Sequence, residues 1–252
     1  MEERLEKALE HYKKEEYNSA LEEFKKLLLE EPENPYIYNN IGTVYFKLGK
    51  YIDAIEAYEK AIEINPAAQG IYQNLADVYL AQGDTASALV TLQSAVAVNP
   101  DNPGTRYHYA RVLMKDFQYD LVVDELEKVI EQAPDNTDAH YDLALAYFQL
   151  GNYDCAIHEY RKVIEFIPKS ADLYYHLGIA YEAGNQIDKA IESFLKAKEL
   201  NEAYFLAYRQ LGILYITKKE NDKAVENLEK YISLVPEGDD SEEIKSILGR
   251  IK

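Results

Sequence analysis

The sequence contains no tryptophan, two methionines and a single cysteine, Cys155. One cysteine cannot form an internal disulfide, which fits a reducing compartment. No apolar run approaches the roughly 20 residues that a membrane-spanning helix needs. The N-terminal stretch MEERLEKALEHYKKEEY is charged and amphipathic, without the apolar core of a signal peptide. These absences predict a cytoplasmic protein that does not insert into a membrane.

Positive charge is scarce. The chain has 27 Lys and Arg residues against 45 Asp and Glu residues, which gives a net charge of −18. Such a surface repels nucleic-acid phosphates and anionic lipid headgroups, so neither is a predicted partner. The sequence also lacks a phosphate-binding loop, an HExxH motif and a CxxC motif. We therefore predict no enzyme activity, no metal site and no cofactor.

What the chain does have is an internal repeat of 34 residues, clearest in residues 36–66. Apolar residues at helical spacing (Ile41, Val44, Tyr45, Leu48) precede Gly49, which can adopt the left-handed conformation that ends a helix. A second apolar stripe (Ile55, Tyr58, Ala61, Ile62) ends at Asn65–Pro66, because proline does not continue a helix. Each unit is thus a helical hairpin, which buries its apolar face only by stacking on its neighbours.

Repeat positions are numbered from Pro35 as position 1. Small residues fill position 8 (Ala8, Gly42, Ala76, Ala110, Ala144, Gly178, Gly212) and, with one exception, position 20 (Ala20, Ala54, Ala88, Val122, Ala156, Ala190, Ala224). They allow the two helices of a hairpin to approach to about 8 Å. Position 32 is proline in every repeat but the sixth, which has Glu202.

The residues Tyr38, Ile41, Gly42, Tyr45, Ala54, Tyr58 and Pro66 resemble the tetratricopeptide repeat pattern, with tyrosine in place of its leading tryptophan. The predicted fold is all-α, an α-α superhelix (solenoid) of antiparallel helical hairpins with about fifteen helices. The spacing predicts seven repeats (1–34, 35–68, 69–102, 103–136, 137–170, 171–204 and 205–238). A C-terminal capping helix is predicted over 239–252, where Asp240 and Glu243 have capping-box spacing and Ile244, Ile247, Leu248 and Ile251 would cover repeat seven.

Two repeats stand out. In repeat three the second helix, Thr85–Val98, has no charged residue, so its outer side is either a contact with another chain or an ordinary solvent-facing surface. Repeat four has Arg106 at the aromatic position, Phe117 in place of the turn glycine and Val122 in place of the packing alanine. The bulkier residues should open the local helix crossing slightly, through either sequence drift or a functional bend.

The resemblance implies that the first helix of each hairpin lines a concave groove through positions 2, 5, 6, 9, 12 and 13. It thereby places in a peptide-binding groove Tyr36, Asn39, Asn40, Thr43, Asn74, Asp77, Tyr107, His108, Arg111, Lys115, Tyr141, Asp142, Tyr175 and His176. Asn40 and Asn74 match the asparagine ladder with which some family members hold a peptide backbone, since an amide both donates and accepts hydrogen bonds. Tyr107, Tyr141 and Tyr175 are candidates either for binding or for packing between repeats.

The predicted groove is close to neutral, unlike the whole chain. It contains the basic residues Lys47, Arg111, Lys115 and Arg209 and the acidic residues Asp77, Asp138, Asp142, Asp172 and Glu182. Three of the four basic residues lie in repeats two to four, and four of the five acidic residues lie in repeats five to seven. We therefore expect a ligand with an acidic segment that faces repeats two to four.

The sequence predicts a protein–protein interaction scaffold that binds an extended or helical peptide in its concave groove. The alternative is a structural assembly protein that self-associates through its convex face, with repeat three as the contact. A third interpretation, an enzyme or an enzyme's regulatory subunit, has no catalytic motif to support it.

Overall fold

The structure, a computed structural model, describes residues 2–238 and 240–251. Within these ranges the chain forms fifteen α-helices and no β-strand, which confirms the all-α prediction. The helices are α1 (Glu2–Lys13), α2 (Tyr17–Glu30), α3 (Pro35–Lys47), α4 (Tyr51–Ile64), α5 (Gln69–Ala81), α6 (Thr85–Val98), α7 (Pro103–Lys115), α8 (Tyr119–Gln132), α9 (Thr137–Gln149), α10 (Tyr153–Phe166), α11 (Ala171–Ala183), α12 (Ile187–Leu200), α13 (Phe205–Thr217), α14 (Asn221–Leu234) and α15 (Ser241–Ile251).

The chain divides into two compact units, an N-terminal unit (Met1–Pro134) and a C-terminal unit (Asp135–Lys252). In the N-terminal unit α1 to α8 form four hairpins, and the second helix of each hairpin packs on the first helix of the next. In the C-terminal unit α9 to α14 form three hairpins packed in the same way, and α15 packs on α14. Stacking lets each hairpin bury the apolar face that it could not bury alone.

The residues at position 20 are buried in every repeat. All seven, including Val122 of repeat four, are fully buried. Two of the glycines at position 8 lie directly against a large side chain of the second helix. A Cβ added to Gly178 would lie 2.5 Å from the ring of Phe194, and one added to Gly212 would lie 2.3 Å from Leu228. Glycine at these two positions therefore leaves room for a large side chain from the second helix.

The turn inside every hairpin has the same backbone conformation whatever its residue. Position 15 has a positive φ in all seven repeats: Glu15 (61°), Gly49 (70°), Gly83 (79°), Phe117 (58°), Gly151 (77°), Asn185 (57°) and Lys219 (60°). This left-handed conformation is strained for residues other than glycine. The repeats that lack the turn glycine thus keep the turn at a cost in local stability.

A basic residue replaces a tyrosine in three hairpins. Position 4 of the first helix faces position 23 of the second, and a basic residue at position 4 is accompanied by glutamate at position 23: Arg4 with Glu23, Arg106 with Glu125, and His140 with Glu159. The other four repeats have tyrosine at position 4 and a residue without charge at position 23 (Ala57, Thr91, Ser193, Asn227). Within this chain, a basic residue at position 4 is always accompanied by a glutamate from the partner helix.

The C-terminal helix α15 packs on the last hairpin. Ile244 and Leu248 of α15 are buried in one cluster with Leu228 and Tyr231 of α14. The carboxylate of Asp240, at the start of α15, accepts hydrogen bonds from the Tyr231 hydroxyl and from Arg209. These bonds tie the beginning of α15 to both helices of the preceding hairpin. Residues 239 and 252 of the predicted capping segment lie outside the described residues.

Candidate functional site

The first helices of the N-terminal unit lie beside one another, α3 against α5 and α5 against α7. Two predicted groove residues join neighbouring repeats, because the Asn74 side-chain amide donates to Asn39 Oδ1 at 2.8 Å. Thr43 donates to the backbone carbonyl of Asn39 at 3.0 Å and lies 3.0 Å from the Tyr58 hydroxyl. Part of the predicted asparagine ladder therefore bonds within the chain. Two further residues of the predicted groove set lie in α3. Asn40 is half-buried, and Tyr36 is 64% exposed.

A cleft of about 530 Å³, the α5–α7 cleft, brings five of the predicted residues together. Its lining consists of Gln73, Asp77, Leu80, Gly104, Tyr107, His108, Arg111, Val112 and Lys115. The residues of α7 reach it from successive turns, since positions three and four apart share one face of a helix. Five side chains that the repeat positions assign to the groove thus line one cleft.

The α5–α7 cleft carries positive charge. Arg111 and Lys115 are exposed and lie one helical turn apart at the end of α7. The Arg111 guanidinium is 6.0 Å from the centre of the Tyr107 ring, and His108 Nε2 is 3.3 Å from Asp77 Oδ1. Two cations beside one carboxylate form a surface that attracts an anionic group.

The predicted groove residues of the C-terminal unit form an aromatic cluster. The Tyr141 ring lies edge-on to Tyr160 at 5.9 Å and to His176 at 5.8 Å, while Tyr160 stacks on His176 at 6.0 Å. Tyr175 contacts three rings, those of His176, Phe194 and Tyr204. Burial raises the pKa of both Tyr141 and Tyr175. Both tyrosines thus pack between repeats while remaining partly open to solvent.

Several of these side chains border a second cleft of about 320 Å³, the α9–α11 cleft. Its lining consists of Thr137, Asp138, Tyr141, Val163, Ile167, Ser170, Asp172, Leu173 and His176. The Tyr204 hydroxyl donates to Asp172 Oδ1 at 2.6 Å. Burial lowers the pKa of His176, and the nearby Asp172 carboxylate opposes that shift. The imidazole is therefore mostly neutral at pH 7, and the charge of the cleft comes from its carboxylates.

Repeat positions do not predict two features of the C-terminal unit. Tyr204 immediately precedes α13 and is not at one of the first-helix groove positions. The repeat pattern therefore gives no reason to expect it near the groove. Arg209 does occupy a groove position, but it forms an ion pair with Asp240. Its charge is thereby balanced within the chain, and the other groove residues of this unit include no lysine or arginine.

Asp142, another residue of the predicted groove set, is half-buried in α9, on the same helix as Tyr141.

The uncharged outer side of α6 is exposed, as the sequence suggests. Val90 is 64% exposed and Val98 is 45% exposed. Ala86, Gln93, Ser94 and Ala97 are also exposed. Ser87 is only half-buried and donates to Asp84 at 2.7 Å. A solvent-facing helix surface without charge is unusual on a chain whose net charge is −18.

Within the described part of the chain, no helix is both long enough and apolar enough to cross a membrane. The same residues contain no group of three or more His, Cys, Asp or Glu side chains that could hold a metal ion. Cys155 is exposed, and its thiol forms no disulfide.

Family models of the tetratricopeptide repeat match most of the chain. A model described as tetratricopeptide repeat matches residues 35–67, another with that description matches 171–204 and 207–237, and one described as TPR repeat matches 8–49. The model of the cytochrome c-type biogenesis protein H TPR domain matches residues 72–174. Two matches, at 35 and 171, begin where repeats two and six are predicted to begin. No curated protein matches the chain.

Solved structures of repeat proteins are similar to this chain. A structure of MamA protein is 28% identical, with a TM-score of 0.62 over 68% of this chain and 93% of its own. YrrB, described as a TPR protein with an unusual peptide-binding site, is 24% identical, with a TM-score of 0.65 over 74% of this chain and 96% of its own. The C-terminal part of a TPR repeat-containing protein from Cytophaga hutchinsonii is 20% identical, with a TM-score of 0.80 over 95% of this chain and 98% of its own.

The repeated helical hairpins, the small residues between their helices and the family models that match along the chain all agree. The chain belongs to the tetratricopeptide repeat family.

Proposed function

We propose that this protein is a non-enzymatic interaction scaffold that binds an extended or helical peptide segment of a partner protein, through the face formed by its first helices. Stacked helical repeats generally use such extended surfaces for binding. The residues in question are the predicted groove set of Tyr36 to His176. The cytoplasmic location and the division into seven repeats of 34 residues belong to the same proposal.

The α5–α7 cleft is the observation that carries this proposal. It combines the aromatic ring of Tyr107, the hydrogen-bonding groups of Gln73 and His108, and the exposed cations Arg111 and Lys115 around about 530 Å³. Binding sites typically pair aromatic anchors with a few polar groups that fix orientation. Because the free cations outnumber the carboxylates here, the ligand segment that enters this cleft should be acidic.

A displayed library of random peptides tests this proposal without a known partner. Peptides selected on the wild-type protein should be enriched in Asp and Glu. Their affinity should fall about tenfold or more for the Arg111→Glu/Lys115→Glu variant, since each reversal replaces attraction by repulsion. The loss should shrink as salt is added, because exposed charges are screened.

A matched control reverses two exposed lysines of the same unit that do not line the cleft. Lys14→Glu/Lys60→Glu changes the net charge equally and removes only exposed ion pairs with Glu10 and Glu63. This control should bind the selected peptides like the wild type. Equal affinity of the wild type and the Arg111→Glu/Lys115→Glu variant at low salt would remove the α5–α7 cleft from the proposal.

Self-association is the second candidate, and the exposed uncharged side of α6 favours it. Two copies with a net charge of −18 repel each other least where they meet through a surface without charge. Sedimentation equilibrium should then show an oligomer that Val90→Glu dissociates and that Ile52→Glu, an equally exposed position on α4, leaves intact. A monomer over the whole range from micromolar to millimolar concentration would exclude this candidate.

A further inference from the structure

The α9–α11 cleft combines aromatic walls with negative charge. Tyr141 and His176 line it, and Tyr160 stacks behind the imidazole at 6.0 Å. Asp138 in the first turn of α9 and Asp172 in the first turn of α11 contribute exposed carboxylates. None of its nine lining residues is a lysine or an arginine. Any positive charge that balances these carboxylates within the cleft would have to come from a ligand.

Aromatic rings next to carboxylates favour cations over other ligands. The face of an aromatic ring attracts a cation, and this attraction grows when the site is partly shielded from water. A carboxylate adds charge-assisted hydrogen bonds that are shorter and stronger than those between neutral groups. The volume, about 320 Å³, suits one side-chain head group with its methylene stem rather than a whole folded element.

The carboxylate of Asp172 is held in place for this purpose. The Tyr204 hydroxyl donates to its Oδ1 at 2.6 Å, which fixes the carboxylate and leaves lone pairs on both oxygens to accept from a ligand. The imidazole of His176 does not compete as a cation, because burial lowers its pKa. Tyrosine and neutral histidine therefore supply rings, and the two aspartates supply charge.

We propose that the α9–α11 cleft binds a basic side chain of a peptide ligand, with arginine preferred over lysine. A guanidinium is planar, so it stacks on an aromatic ring and forms paired hydrogen bonds with a carboxylate, neither of which an ammonium group can do as well. The inference rests on the proposed function in that the first-helix face binds peptides, and it adds the chemistry recognised by the C-terminal unit.

Peptide titration followed by NMR tests the inference. The probes are four capped pentapeptides, Gly-Gly-Xaa-Gly-Gly, with arginine, lysine, norleucine or glutamate in the middle. The arginine peptide should shift the ring resonances of His176 and Tyr141 in a saturable way, and the lysine version should bind more weakly. The norleucine peptide tests whether apolar contact alone suffices, and the glutamate peptide should cause no shift.

Variants then separate the cleft from general electrostatic attraction. Asp138→Asn and Asp172→Asn each remove one charge without changing size, and together they should weaken the arginine peptide about tenfold or more. Asp222→Asn, at an exposed acidic position in the first turn of α14, should leave its affinity unchanged. Circular dichroism and the dispersion of the NMR spectrum establish that each variant is folded.

Two results would overturn the inference: equal binding of the arginine and norleucine peptides, or equal weakening by Asp222→Asn and by the cleft variants. The absence of any shift at probe concentrations of about 10 mM, where even weak binding is detected, would do so as well. These outcomes leave the proposed function untouched, since that depends on Arg111 and Lys115 in the other unit. Conversely, the selected acidic peptides could lose affinity for the Arg111→Glu/Lys115→Glu variant while the arginine peptide does not bind the wild type. Peptide binding would then be restricted to the α5–α7 cleft.

Discussion

The buried pair Arg106–Glu125 offers the sharpest test of how these hairpins are stabilised. Arg106 stands where four repeats have tyrosine, and the side chains of Arg106 and Glu125 are only 8% and 14% exposed. One guanidinium nitrogen donates to Glu125, and another donates to the Pro100 carbonyl oxygen at 2.7 Å. Its Nε atom is buried without a hydrogen-bond partner among the described residues. Removal of the glutamate therefore leaves a buried cation with one neutral acceptor.

Glu125→Ala should lower the free energy of unfolding of the N-terminal unit by about 3–5 kcal/mol, because an unpaired buried charge is the costly outcome when one partner is removed. The double variant Arg106→Tyr/Glu125→Ser copies repeat six, which has Tyr174 and Ser193 at these positions. It should recover most of that loss or exceed the wild type, since apolar packing often replaces a buried ion pair without penalty.

Urea unfolding followed by circular dichroism, with hydrogen exchange of peptides from α7 and α8, measures both effects and localises them. Glu63→Ala is the matched control, because it breaks the exposed Lys60–Glu63 pair and should leave the free energy of unfolding nearly unchanged. Two results would refute the reasoning: a loss below about 1 kcal/mol for Glu125→Ala, or a double variant no more stable than that single variant.

Two further predictions concern the strained turns and the buried histidine. Phe117→Gly should stabilise the N-terminal unit by about 1 kcal/mol, since φ is 58°, and Gly49→Ala should destabilise it by about as much, with no clash to explain the loss. Burial lowers the pKa of His176, so the unfolded chain binds that proton more readily and stability should fall as the pH drops below about 6.5.

Urea midpoints check both predictions. For the turns, a destabilised Phe117→Gly variant would mean that the contact of the Phe117 ring with Tyr119, at 6.3 Å, outweighs the backbone strain. For the histidine, midpoints at pH 7.5 and 5.5 are compared between the wild type and His176→Gln. The wild type should lose more stability than His176→Gln between pH 7.5 and pH 5.5. An identical loss in both proteins would contradict the attribution of this pH dependence to His176.

The hairpin architecture could be predicted from the sequence because its signals are local. The apolar spacing, the prolines and the small residues each act within one unit of 34 residues, and seven copies reinforce one another. The turns show where a residue-by-residue interpretation falls short. Phe117 and Glu15 do not have the freedom of glycine, yet the packing of the two helices that each turn joins holds them in the left-handed conformation.

Repeat positions assign residues to a face, but they do not give the contacts of the side chains. Five residues assigned to the groove, Asp77, Tyr107, His108, Arg111 and Lys115, line one cleft. They do not reveal that Asn74 bonds to Asn39 or that Arg209 is paired with Asp240. The match between positions 4 and 23 is present in the sequence, but its meaning depends on knowing that these positions face each other.

By itself, the sequence determined the all-α fold, its approximate number of helices and the residues that end them. These features follow from helical periodicity and backbone preferences, which act over a few residues. Tertiary structure alone decided which of the predicted groove side chains bond within the chain. The deciding contacts, including that of Tyr204 with Asp172, join residues 31 to 35 positions apart. Such contacts depend on how one hairpin seats against the next, because a small shift between neighbours changes which polar groups come within hydrogen-bonding distance.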